Sequence, residues 1–153
     1  MTYDLVIVGG GIHGAGIAQS AAAAGYSVLV LEKTAIAHGT SSKSSKLIHG
    51  GLRYLESGQI KLVFECLSER SLLLEIAPQL VRLESFFIPI YKHTRRRPWE
   101  IRAGLSLYAA LGKFKPAARF EQVPDSEWSK LDGISLENLQ AVYTYKDGAT
   151  DDA

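Results

Sequence analysis

Asp4–Glu32 reads DLVIVGGGIHGAGIAQSAAAAGYSVLVLE, and its apolar runs and glycines decide the fold. Leu5 to Val8 is a short continuous apolar run closed by glycines, the pattern of a parallel strand buried on both faces. After Gly11 the spacing turns helical, with Ile12, Ala15, Ala18, Ala22 and Ala23 small or apolar, until Gly25 supplies a stop. Ser27 to Leu31 is a second apolar strand, closed by Glu32. Strand, helix and strand within about thirty residues make a right-handed βαβ crossover.

Gly9, Gly11 and Gly14 form a GxGxxG pattern where the strand ends and the helix opens. In that place Gly9 permits the tight turn, Gly11 admits a pyrophosphate against the backbone, and Gly14 lets the helix lie close on the strand. The helix N-terminus offers N–H groups and a partial positive charge to the phosphates. The Glu32 carboxylate can accept from both hydroxyls of a ribose and repels a 2′-phosphate, with Lys33 beside it. His13 is either a polar residue at the helix start or a nucleotide contact. The same glycines without a ligand make only a tight turn, and with one they serve NAD and FAD alike.

Composition sets the bounds. The chain has 153 residues, 46% hydrophobic and 22% charged, with a net charge of +1, which makes no case for nucleic acid as a partner. A chain of this length buries ~70% of its unfolded surface and needs no staples. The single cysteine, Cys66, excludes an intrachain disulfide and reads as a small core residue. No His, Cys or Asp pattern indicates a metal. There is no secretory pattern and no apolar run of the ~20 residues a spanning helix needs, so a cytoplasmic protein is expected, with a membrane surface left open.

Further along, Lys33 to Ser45 is loop chemistry, rich in Gly, Ser, Thr and Lys. Gln59 to Ala77 has helical periodicity and ends at Pro78; Phe86 to Tyr91 reads as extended; a second amphipathic helix runs from Pro98 to Gly112. A short strand is expected at Ala141 to Tyr145. The closing DGATDDA, with Thr150, Asp151 and Asp152, reads as the lead into a helix.

Within the loop, Gly39–Glu56 reads GTSSKSSKLIHGGLRYLE. Its thirteen-residue core Ser44–Glu56, SSKLIHGGLRYLE, together with DLVIVGGGIHGAGIA, closely resembles the FAD-dependent glycerol-3-phosphate dehydrogenases, part of the broader family that includes D-amino acid oxidase. The likeness runs through the whole chain, more loosely over the Arg-Pro-Trp stretch. It implies a Rossmann-like α/β fold with FAD as cofactor. The βαβ unit occupies 1–33, the flavin loop 39–56 and a helical insert 59–112, within an incomplete flavin-domain sheet. Thr40, Ser41, Ser44 and Ser45 offer hydroxyls and N–H groups to phosphate and ribityl oxygens, although Ser44 and Ser45 can equally cap a helix. Gly50 and Gly51 let the backbone pass close to a flat ring. The resemblance carries over Lys46, Leu47, His49 and Gly50 as neighbours of the flavin, and Arg53 and Tyr54 as residues facing substrate. His49 is either catalytic or a polar packing residue. Arg53 suits a phosphate, being always charged with a planar fork of donors, and its bland alternative is a surface or ion-paired arginine.

The reaction so implied is oxidation of sn-glycerol 3-phosphate to dihydroxyacetone phosphate, with electrons passing to a membrane quinone. A glycerol-3-phosphate or amino-acid oxidase is the nearest rival, and a non-catalytic remnant is another class; the serines lack a GxSxG elbow, which argues against a hydrolase. Two parallel strands fall short of a complete flavin domain, and the antiparallel substrate sheet is expected in later sequence, so the chain reads as the N-terminal part of a longer enzyme. Lys92 to Arg102 holds five Lys or Arg against one Glu. With Trp99, Ile101, Leu105, Tyr108 and Leu111 on the adjoining helix, this is the composition of an interfacial anchor or of a core helix beside a solvated basic loop, and the resemblance implies the first, peripheral attachment to the inner face of the cell membrane.

Overall fold

The computed structural model describes residues 2–150, in two compact units that divide between Lys46 and Leu47. In the first, β1 (Leu5–Val8) and β2 (Val28–Leu31) pair in parallel, Leu5 opposite Val28 through to Val8 opposite Leu31, joined by α1 (Ile12–Ala23). α1 ends in a Schellman motif. Gly25, at φ +90°, donates its N–H to the Ala22 carbonyl, and Tyr26 donates to Ala21. Asp4 Oδ2 accepts from the Ser27 hydroxyl and from the Ser27 N–H at 2.9 Å, fastening the start of β1 to the start of β2, and these bonds, the hydroxyl's first, hold its carboxyl below the usual range. Ile7, 8% exposed, faces α1, but Val6 and Val8 stand 51% and 85% exposed. The expectation of strands buried on both faces is thus corrected among the described residues, because the one helix of this unit covers one face.

The second unit is an antiparallel sheet with helices against it. Its elements are β3 (Leu47–Ile48), a 3₁₀ turn (Leu52–Ser57), α2 (Ile60–Ile76), β4 (Val81–Tyr91), α3 (Pro98–Leu111), β5 (Phe120–Gln122) and β6 (Leu139–Thr150). β6 is central, paired with β4 from Val81 opposite Thr150 to Tyr91 opposite Leu139, and also with β3 and β5. Pro89 is tolerated because β4 is an edge strand in the order β3-β6-β4. Leu105 of α3 packs with Ile90, Ala141 and Tyr143 of the sheet, and Tyr108 packs with Val63 and Leu67 of α2. Each of the buried Leu, Ile and Val side chains contributes about 1.5–3 kcal/mol on burial.

Three expectations are corrected here. Residues 59–112 are not a purely helical insert, since the eleven-residue β4 lies between α2 and α3. An antiparallel sheet is already present within this chain. The short strand at Ala141 to Tyr145 extends over Leu139–Thr150, so Asp147 to Thr150 belong to a strand; Asp151 and Asp152, on which the expected helix lead also rests, lie outside the described residues. The apolar face of α3 is spent on the core: Leu105 and Tyr108 are 1% and 0% exposed, and Ile101 and Leu111 are half-buried, leaving Trp99 outside at 71%. A lipid surface cannot take up side chains already packed on a sheet.

Burial makes stability fall at high pH. It pushes the Tyr108 phenol up, and it does the same to Tyr145, which the charge of Asp147 raises further. The native state therefore keeps protons that the unfolded chain loses near pH ~10. Stability from these groups is fully present below that pH and is lost as pH rises beyond it. Tm should hold steady to about pH 9 and then fall, less steeply in Tyr108→Phe; identical slopes in both proteins would remove the phenol as cause.

Candidate functional site

In the first unit the glycine turn is built by close approach. A Cβ on Gly14 would overlap the Gly9 carbonyl, so only glycine lets α1 sit this near β1, and Gly9 itself turns at φ +105°. The Ser41 hydroxyl accepts the Ile12 N–H at 2.9 Å, bringing the serine turn to the mouth of α1. A Cβ on Gly11 would have Ser41 Oγ at 3.1 Å as its only neighbour within 4 Å. Glu32 leaves the end of β2 and accepts the Gly10 N–H at 2.8 Å and the Thr34 N–H at 3.0 Å. The Gly10 bond, then the Thr34 bond, hold its carboxyl below the usual range, and each oxygen keeps lone pairs for a hydroxyl. Gly11, without a side chain, at a helix N-terminus beside a charged strand-end carboxylate fits the diphosphate and ribose of an adenine dinucleotide.

The serine segment is a chain of turns with no helix for Ser44 or Ser45 to cap. Ser42 Oγ donates to the His38 and Gly39 carbonyls, and Ser44 Oγ to that of Ser41. Lys46, in the left-handed region at φ 58°, folds its ammonium back onto the Ser41 and Ser42 carbonyls at 3.0 and 2.6 Å. Thr40, Ser45, Lys33 and His13 are exposed.

In the second unit Leu47, His49, Arg53 and Tyr54 line one open concavity of about 860 Å³ with Glu56, Phe86, Ile88, Tyr145 and Asp147. The 3₁₀ turn 52–57 presents Arg53 and Tyr54, and the His49 and Tyr54 rings lie 6.1 Å apart. The sheet supplies the floor. Phe86 and Ile88 alternate on β4, Tyr145 and Asp147 on β6, and Phe86 stands opposite Tyr145, which puts all four on one face. Sequence reading missed these four; the period-two spacing of Tyr143, Tyr145 and Asp147 was the available signal. It also missed the pair below, Arg70 Nη1 to Asp147 Oδ1 at 2.5 Å, with side chains 1% and 4% exposed. Gly50 is buried against it, and a Cβ there would overlap the Tyr108 hydroxyl. Cys66 is half-buried, its thiol pushed up chiefly by burial and so poorly nucleophilic. Among the described residues no cluster of metal-ligating side chains forms, and no helix is long and apolar enough to cross a membrane.

Comparison with known proteins gives a consistent result. The model of the family described as DAO, FAD dependent oxidoreductase, matches residues 4–153. A glycerol-3-phosphate dehydrogenase of Pseudomonas aeruginosa is 46% identical over 99% of the chain and 28% of its own length. A D-erythritol 1-phosphate dehydrogenase of Brucella abortus is 42% identical over 99% of the chain and 30% of its own. The chain thus spans less than a third of the length of these relatives. Among solved structures, the glycine oxidase of Bacillus cereus superposes with a TM-score of 0.51 at 20% identity, over 97% of this chain and 40% of that one, a likeness of fold.

Proposed function

Because the chain belongs to the FAD dependent oxidoreductase family, we propose that it forms the dinucleotide-binding and substrate-facing portion of an enzyme that oxidises sn-glycerol 3-phosphate to dihydroxyacetone phosphate. The observation that carries the reading is the gathering of His49, Arg53 and Tyr54 around one concavity, on a loop that follows directly from the serine turns. FAD, when bound, supplies the acceptor for the hydride of the C2 carbinol. Gly9, Gly11, Gly14 and Glu32 would hold its diphosphate and ribose, with Lys33, Thr40, Ser41, Ser44, Ser45, Lys46, Leu47 and Gly50 as further neighbours. Arg53 binds the substrate phosphate through a planar fork. In this reading His49 and Tyr54 orient the C2 hydroxyl and hold its proton, supported by their sharing the concavity with Arg53.

The test is a chimera in which this chain replaces the matching part of the Pseudomonas aeruginosa relative. It should purify yellow and reduce a soluble quinone with glycerol 3-phosphate, but not with glycine or a D-amino acid. A colourless protein, or a preference for an amino acid, would overturn the reading.

A quinone acceptor and a membrane surface belong to the same proposal. With the apolar face of α3 buried, the support is exposed Trp99 beside exposed Lys92, Arg95 and Arg97; Arg96 is engaged by Glu56 at 3.5 Å and by Glu100 at 3.3 Å. At ~1 kcal/mol per basic residue, Arg95→Ala with Arg97→Ala should weaken binding to anionic liposomes by roughly 30-fold. Equal sedimentation with and without the change would dismiss this segment as the contact.

A further inference from the structure

The buried pair under the concavity does more than fill space. Asp147 Oδ1 receives Arg70 Nη1, the Gly50 N–H at 2.9 Å and the Gly148 N–H at 3.2 Å. Arg70, from α2, is itself fixed: Nη1 also donates to the Tyr108 hydroxyl at 3.0 Å and the Lys146 carbonyl at 3.2 Å, and Nη2 to the Ala117 carbonyl at 2.8 Å, while Nε is buried without a partner among the described residues. α2, α3, β6 and the segment after α3 thus converge on the Arg70 guanidinium, which holds the Asp147 carboxylate, and that carboxylate reaches up to the loop. There it meets Gly50, pinned from below by the Tyr108 hydroxyl and by Leu67, whose Cδ2 would lie 2.6 Å from a Cβ. Gly51 follows at φ +76° and turns the chain into the 3₁₀ segment. With the 49–50 peptide trans, a Gly50 N–H aimed inward at Asp147 sends the His49 carbonyl the opposite way.

We propose that Asp147, paired with Arg70, is a positioning residue: by clamping the Gly50 N–H it sets where His49, Arg53 and Tyr54 stand around the concavity. The clamp touches no reacting atom and acts only through the loop. Its catalytic readout rests on the functional reading above; its structural readout does not.

Removing one charge leaves the other buried and unpaired, so the informative comparison removes both. In the chimera, Arg70→Met with Asp147→Asn keeps an acceptor for Gly50, whereas Arg70→Met with Asp147→Leu has none. At matched Tm, kcat/KM for glycerol 3-phosphate should be about 30-fold lower in the Leu form, with Asn recovering most of that loss, since misplacing catalytic groups by an ångström has effects of this order. Equal kcat/KM in the two forms would overturn the proposal. If neither double variant folds, exchange of the Gly50 amide in the unmodified protein decides: protection for hours supports the clamp, and exchange as fast as an exposed loop refutes it. An unmodified chimera that keeps Gly50 protected yet does not oxidise glycerol 3-phosphate would sink the functional reading alone.

Discussion

Valine in place of Gly11 is expected to strip the flavin, so that the variant purifies colourless where the unmodified chimera shows a visible absorption band. The first amides of α1 have no carbonyl within the helix to bond, and they sum to a partial positive charge aimed along Gly11. A phosphate answers both. An added Cβ already stands 3.1 Å from Ser41 Oγ, so an isopropyl group must displace the serine that accepts the Ile12 N–H or fill the space for the diphosphate. Losing two charge-assisted bonds of about 1.5–3 kcal/mol each weakens binding by two to four orders of magnitude. Gly16→Ala is the control. It lies on the same helix with no heavy atom within 4 Å of its added Cβ, and it should retain flavin while gaining up to ~1 kcal/mol of helix stability. Full flavin content in the Gly11 variant would count directly against the assignment, and loss in both variants would point to unfolding of α1.

Arg53→Ala should leave flavin bound and lower kcat/KM for glycerol 3-phosphate by a hundredfold or more, on the order of 3 kcal/mol of transition-state stabilisation. The residue projects from the 3₁₀ turn into the concavity, and among the described residues no carboxylate pairs with it; the neighbouring Glu56 is taken by Arg96. Arg53 is exposed but not tied into an ion pair among the described residues, which leaves the planar fork available to a dianionic phosphate. Arg53→Lys should restore part of the rate, because the charge returns without the fork. Steady-state kinetics with flavin stoichiometry checks both halves. A variant that loses flavin yet turns over normally once flavin is resupplied would assign Arg53 to the cofactor.

The βαβ unit was legible in the sequence because everything it needs is local. A four-residue apolar run, glycines at fixed offsets and an alanine-rich helix stopped by Gly25 specify strand, turn and helix without reference to distant residues. The motif 44–56 was legible as well, since its residues are contiguous and the 3₁₀ turn carries Arg53 and Tyr54 into the same concavity as His49. Partners from far along the chain were not. Asp147 carried no site signal of its own, and only pairing of β6 with β3 brings it beneath Gly50, across 97 positions of sequence. Arg70 looked like one more polar residue on α2. Periodicity showed that α3 is amphipathic but not what its apolar face meets, so the resemblance alone favoured lipid over core until Leu105 and Tyr108 were seen packed in the core. Local hydrogen-bond and steric rules thus determined the first unit from sequence, whereas the floor and clamp of the second depended on which strands meet, a choice made by burial of long-range apolar surface that no short window of sequence contains.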